Sequence, residues 1–119
     1  MLSKFMQVTI SLFMMILVSG IAASAEPTKV ADLPYATVNG IELKLDLYRP
    51  GENARPGIIV WVHGGAWRGG SKKDMPLGSL VSAGYVVASV DYRLSPQAPF
   101  PAQVHDIKAA IRFLRAKQR

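Results

Sequence analysis

The sequence predicts an α/β protein built on a mixed sheet, with an antiparallel hairpin followed by a parallel β-α-β-α run. Three observations carry that prediction. Residues 35–48 alternate apolar and polar side chains around Asn39-Gly40, the pattern of two strands joined by a tight turn. Two short runs, Ile58-Ile59-Val60-Trp61-Val62 and Val86-Val87-Ala88-Ser89-Val90, are rich in β-branched residues and read as strands covered on both faces. A helical stretch separates these runs and a second one comes after them, so the two strands are expected to lie parallel across a crossover.

The first 25 residues stand apart from that domain. Lys4 is their only charged residue, residues 10–18 are apolar, and Ala23-Ser24-Ala25 offers the small residues of a signal-peptidase site. Residues 1–25 therefore read as a signal peptide, because the apolar core is shorter than the ~20 residues a membrane-spanning helix needs. The expectation is export, to the periplasm or beyond the cell, with no stable membrane insertion after cleavage. The chain has no cysteine, which removes lipid anchoring through a thiol and any disulfide framework. The stretch from Glu26 to Arg119 is shorter than the ~150 residues or more that a doubly wound sheet usually occupies. Residues 41–119 are accordingly read as a partial domain, and residues 26–40 as a lead-in with a first strand.

Within the lead-in, residues 26–33 are polar around Pro27 and read as flexible. Tyr35-Ala36-Thr37-Val38 then runs into Asn39-Gly40, two residues that tolerate positive φ and so suit a two-residue hairpin turn. Beyond it, Ile41, Leu43, Leu45 and Leu47 alternate with Glu42, Lys44, Asp46 and Tyr48, which puts the first set on a buried face and the second in water. Residues 50–57 are rich in turn formers and feed the strand at 58–62.

That strand breaks into His63-Gly64-Gly65-Ala66-Trp67-Arg68-Gly69-Gly70. Glycines at a strand's carboxyl end let the backbone turn sharply and leave its N–H groups bare. Bare N–H groups suit an oxyanion, and they lower the barrier to acyl transfer when they face the oxygen that becomes negative. Ser71-Lys72-Lys73-Asp74 reads as a solvated surface. Residues 76–83 form a short helix candidate with Leu77, Leu80 and Val81 on one face and Gly84 as its stop. After the strand at 86–90 comes a proline-stiffened loop, and Pro101 opens a helix with Val104, Ile107, Ile111 and Leu114 at core spacing. The formal net charge is +6, and Lys108, Arg112, Arg115, Lys117 and Arg119 crowd the carboxyl end. The excess is confined to that segment, so neither nucleic acid nor an anionic membrane is expected as a partner.

Three ordered blocks resemble one family. His63-Gly64-Gly65-Ala66-Trp67 after a hydrophobic strand is similar to the oxyanion-hole motif of α/β-hydrolases of the hormone-sensitive-lipase and carboxylesterase type, a group that includes acetyl-xylan-esterase-like members. Leu45-Asp46-Leu47-Tyr48-Arg49-Pro50 resembles the strand before that loop. Val86 to Pro96 with Phe100-Pro101-Ala102 resembles the strand and helix after it. The resemblance implies the amino-terminal part of an α/β-hydrolase mixed sheet. It also implies a cofactor-free serine ester hydrolase acting on a small-molecule or carbohydrate-linked ester, with the N–H groups of Gly64, Gly65 and Ala66 as its oxyanion hole. Family members place a Ser nucleophile on a Gly-x-Ser-x-Gly elbow, with an acid and a His base later in the chain. No such elbow occurs in these 119 residues, so the domain is read as truncated before it.

Other polar residues offer weaker candidates for the site. Ser82 lacks the first elbow glycine and comes after a helical segment, which excludes it as nucleophile. The resemblance implies that His63 shapes the loop by hydrogen bonding and is not the general base, and His105 comes too early in the chain for that role. Asp91 and Arg93 lie at a strand's carboxyl end, where α/β folds place ligands, and the favoured reading is a charge pair of Arg93 with Asp106 near the site. Trp67 either walls the acyl pocket or packs beneath the loop. No His, Asp or Glu cluster has metal-ligand spacing, and no metal is expected. A non-catalytic fragment or pseudoenzyme is the alternative function, and a peptidase of the same fold is a further one.

Overall fold

The computed structural model describes residues 25–118, so the signal-peptide reading of residues 1–25 falls almost wholly outside the described residues. The described chain forms a four-stranded sheet flanked by helices. Its elements are β1 (Thr28–Val38), β2 (Ile41–Arg49), β3 (Ile58–Val62), a 3₁₀ turn (Lys72–Asp74), α1 (Gly78–Ser82), β4 (Val86–Val90) and α2 (Ala102–Lys117). Across the sheet the order is β1-β2-β4-β3. β1 pairs antiparallel with β2 and β2 with β4, while β3 and β4 are parallel. The mixed sheet expected from the sequence is therefore present.

The hairpin turn forms at Asn39 (φ 49°) and Gly40 (φ 77°), a pair of left-handed conformations these two residues adopt at little cost. The lead-in departs from expectation. Instead of a flexible stretch over residues 26–33, β1 begins at Thr28 and pairs with Arg49 at the far end of β2. β1 lies at the sheet edge, where Pro34 can sit without breaking a ladder from both sides. Two register shifts, between Val30 and Leu33 and between Pro34 and Ala36, absorb the irregular sequence.

Strand order is the second departure. Val86–Val90 does not follow β3 outward in chain order; it lies between β2 and β3. Its burial is the consequence, with Val87, Ala88, Ser89 and Val90 all inaccessible. The edge is β3, and its side chains are only partly buried, with Val62 exposed. Among the described residues β3 has one neighbour, β4, and its apolar run is correspondingly only partly covered.

The core lies between the sheet and α2. Leu43, Leu45 and Leu47 of β2 pack with Ala88 and Val90 of β4, Tyr35 of β1, and Ala110 and Leu114 of α2. Burial at this scale stabilises by roughly 1.5–3 kcal/mol per large aliphatic side chain. The buried stripe of α2 is Gln103, Asp106, Ala110 and Leu114, rotated from the expected Val104, Ile107, Ile111 and Leu114. Polar partners cause the rotation: Asp106 turns inward to meet Arg93, and Gln103 Nε2 donates to Ala98 O at 2.9 Å. α1 is shorter than expected, with Leu77 at its amino end and Val81 as its buried residue. Gly84 comes next with φ 97° and ends it as a left-handed stop.

Candidate active site

The loop after β3 closes as a tight turn in which Gly65 O accepts from Arg68 N at 2.9 Å and from Gly69 N at 3.3 Å. Its two central residues are Ala66 (φ 51°) and Trp67 (φ 60°), so both are left-handed. That conformation costs an L-residue roughly 1–2 kcal/mol, and it is unusual for a side chain as large as Trp. Gly65 has φ 120°, and a Cβ there would strike the Gly69 carbonyl. Among the described residues, no main-chain hydrogen bond takes up the N–H groups of Gly64, Gly65 or Ala66. The turn therefore presents three consecutive bare donors at the carboxyl end of β3.

His63 holds the near side of this loop. It is buried, and its Nδ1 lies 2.8 Å from Gly64 O. Because a carbonyl only accepts, Nδ1 carries the proton in this contact. Tyr92 stacks on the imidazole with ring centroids 4.4 Å apart and donates its hydroxyl to His63 O at 2.8 Å. Burial pushes the Tyr92 phenol above its usual range, with the nearby Asp91 carboxylate adding to the effect. Gly70 closes on the other side of the ring: a Cβ there would overlap Gly64 O and reach His63 Nδ1.

Trp67 is exposed to 45% and stacks nearly parallel on Phe100, itself exposed to 61%, with centroids 5.2 Å apart. Its carbonyl accepts from Ser95 N at 2.7 Å. The side chain thus stands beside the loop, against the proline-rich segment, and does not pack beneath the glycines. Asp91 is half-buried; its Oδ1 accepts from Lys72 N at 2.7 Å and lies 3.8 Å from His63 Nε2. Arg93 and Asp106 form a forked pair, with Nε to Oδ2 at 2.9 Å and an NH2 nitrogen to Oδ1 at 2.8 Å, while Arg93 N also donates to Asp106 Oδ2. Asp106 holds the guanidinium more firmly protonated than usual. Tyr35 Oη reaches Asp91 O at 2.5 Å from β1, and burial raises its pKa, with Asp106 and Asp91 acting in the same direction. His105 is exposed on α2, and Ser82 donates its hydroxyl to Gly78 O, one turn back in α1.

The largest correction concerns charge. Lys72 is not solvated but 5% exposed, and Asp46, expected on the wet face of β2, is 1% exposed. Lys72 Nζ lies 2.6 Å from Asp46 Oδ1 and 2.9 Å from Asp32 Oδ1. Lys29 Nζ approaches Asp46 Oδ2 at 3.0 Å, close in distance though off the hydrogen-bonding direction. Burial pushes the Asp46 carboxyl up, but Lys72, the Asp32 N–H and Lys29 outweigh it and hold the carboxyl below its ordinary range. Burial likewise pulls Lys72 down, and Asp46 and Asp32 overcome that and raise it. Only Lys73 of the pair is exposed. One signal for this network did exist in the sequence: Ser89 interrupts the apolar run of β4, and it is the cross-strand partner of Asp46.

A cleft of about 370 Å³ opens at the carboxyl ends of β3 and β4, lined by His63, Gly70, Lys72, Asp91, Tyr92 and Leu94 among others. This is where open α/β sheets bind ligands. Among the described residues no group of three His, Asp or Glu side chains is placed to hold a metal ion, and no helix is long and apolar enough to cross a membrane.

Known proteins resemble this chain in sequence and fold. The BD-FAE family model matches residues 45–119. Esterase LipQ of Mycobacterium tuberculosis is 35% identical over 95 residues, covering 73% of this chain and 22% of LipQ. An arylesterase of Saccharolobus solfataricus is 38% identical over 77 residues, covering 62% of this chain and 25% of that protein. The apo form of Thermogutta terrifontis esterase 2 superposes with a TM-score of 0.63 at 30% identity, covering 79% of this chain and 36% of that one. The chain thus spans between 22% and 36% of the length of these three proteins. The family model covers more than half of the chain, and the chain therefore belongs to the BD-FAE family, in the carboxylesterase-like part of the α/β-hydrolases.

Proposed function

We propose that this chain is part of an exported serine ester hydrolase and supplies its oxyanion hole. The observation that carries the reading is the left-handed turn at Ala66 and Trp67, which leaves the N–H groups of Gly64, Gly65 and Ala66 without partners at the carboxyl end of β3. Bare N–H donors stabilise an oxygen that gains negative charge, and losing one such donor costs about 3 kcal/mol of transition-state stabilisation. His63 and Tyr92 keep the loop in this shape, which is a supporting role. The reaction passes an acyl group from an ester to a serine and then to water, and it needs no cofactor. The nucleophile, acid and base of that reaction are assigned to residues outside these 119. The substrate is a small-molecule or carbohydrate-linked ester. Export rests on the sequence of residues 1–25, with its apolar core and Ala23-Ser24-Ala25. The alternative reading is a non-catalytic polypeptide.

One experiment separates the two. The coding DNA is read past the codon for Arg119, and the polypeptide that the frame encodes is assayed with p-nitrophenyl esters. The proposal expects an apolar strand leading into Gly-x-Ser-x-Gly, and hydrolysis abolished by a serine-directed phosphonate. A stop codon directly after Arg119 together with inertness toward the ester panel would overturn catalysis and leave the non-catalytic reading. Hydrolysis untouched by the phosphonate would overturn the serine mechanism.

A further inference from the structure

The glycine loop is held at its far end by a residue that no part of the proposed reaction uses. Lys72 lies two positions after Gly70 and joins four segments at once. Its Nζ meets Asp46 of β2 at 2.6 Å and Asp32 in the bulged part of β1 at 2.9 Å. Its N–H donates to Asp91 Oδ1 just after β4 at 2.7 Å, and its carbonyl accepts from Ser89 Oγ inside β4 at 2.6 Å. Ser71 and Asp74 bracket it with reciprocal side-chain-to-backbone bonds, Lys73 N to Ser71 Oγ at 3.1 Å and Ser71 N to Asp74 Oδ2 at 2.8 Å. Between His63 and Lys72 the chain is therefore a short arch with two fixed feet. At one foot His63 is clamped by Tyr92, and at the other Lys72 is clamped by the sheet.

We propose that Lys72 is the positioning residue of this arch: its ion pairs with Asp46 and Asp32 fix the foot from which Gly64, Gly65 and Ala66 are aimed. The inference rests on the proposed oxyanion role only for its catalytic meaning. The physical need is plain. The arch stores strain at Ala66 and Trp67, and strained backbone persists only where its surroundings over-determine it. A lysine on a solvated turn would not do that. A buried ammonium with two carboxylates has one low-energy place to sit, because moving it away leaves the buried Asp46 carboxylate with only the half-exposed Lys29 and the Asp32 N–H as partners. Gly70 transmits the constraint, since it packs directly on the His63 ring and the Gly64 carbonyl.

The test uses the full chain, labelled with nitrogen-15, and reads backbone order parameters. Lys72→Met keeps the apolar stem and removes the charge, while Leu114→Ala destabilises the core under α2, away from the arch. The expected result is rigid N–H groups at residues 64–67 in the wild type, near the ~0.85 of ordered backbone, falling below ~0.6 in Lys72→Met. Leu114→Ala lowers the melting temperature but leaves those order parameters at wild-type values. Equal loosening in both variants, or none in Lys72→Met, overturns the proposal. Should Lys72→Met not fold, Asp32→Asn removes one of the two carboxylate charges while retaining a side chain that tolerates the φ of 57° at that position. Its amides at 64–67 are expected to loosen by a smaller amount, and unchanged values overturn the proposal. Inertness toward esters would remove the catalytic reading without touching this result, and unchanged order parameters would remove the role of Lys72 without touching the ester reading.

Discussion

Replacing Gly70 by Ala should destabilise the protein far more than replacing its neighbour Gly69. At Gly70 φ is 83°, a region in which an L-residue is penalised by roughly 1–2 kcal/mol. The new methyl would also overlap Gly64 O and crowd His63 Nδ1, so the His63–Gly64 contact at 2.8 Å has to open. Losing a hydrogen bond of this kind costs about 1 kcal/mol, and more where a buried group is left unsatisfied. The two effects act on the same few atoms and together give about 2–4 kcal/mol. For a domain of this size each kcal/mol moves the melting temperature by about 4–8 °C, so Gly70→Ala should lower it by at least about 8 °C. At Gly69 no heavy atom lies within 4 Å of a built Cβ and φ is not left-handed, so Gly69→Ala should be neutral or slightly stabilising. Thermal unfolding monitored by circular dichroism measures both. A Gly70→Ala protein that melts with the wild type, or a Gly69→Ala protein that loses as much, would refute the account of the arch as a close-packed contact with His63.

Removing the Arg93 side chain leaves Asp106 buried with only the Arg93 N–H as partner. Arg93→Ala should therefore cost about 3–5 kcal/mol in urea unfolding, and a loss under 1 kcal/mol would show that the fork contributes no more than a surface pair. The Lys72 network predicts a pH dependence. Asp46 and Asp32 are held below their ordinary range, so their contribution is present above about pH 4 and is lost as pH falls through the depressed values. Lys72 is raised, so its contribution is present below its ordinary value and lost only as pH rises beyond it. The melting-temperature gap between wild type and Lys72→Met should accordingly be widest between about pH 5 and 9 and shrink in acid. A gap that stays constant down to pH 2 would mean that the ion pairs contribute little.

The sequence alone determined the local pieces. Period-two alternation defines β2, Asn39-Gly40 defines the hairpin turn, Gly84 ends α1, and the glycine run marks the loop after β3, because each of these depends on φ preferences and on neighbours a few residues away. The same locality explains the resemblance to α/β-hydrolases, which is carried by short ordered blocks. Only the tertiary structure decided the strand order, since β4 enters between β2 and β3 and pairs with two strands that lie far from each other in the chain. The tertiary structure also turned Asp46 and Lys72 inward. A charged side chain in isolation belongs in water, and its burial becomes favourable only when a partner from another segment arrives within about 3 Å. Those partners lie 14 or more positions apart, Asp32 for Asp46 and Ser89, Asp91 and Asp46 for Lys72. The inward turn of Asp106 has the same cause, with Arg93 waiting 13 positions before it. Local pattern thus specified where the chain bends and runs, while the pairing of buried charges, which needs two distant segments at once, was left to the folded sheet.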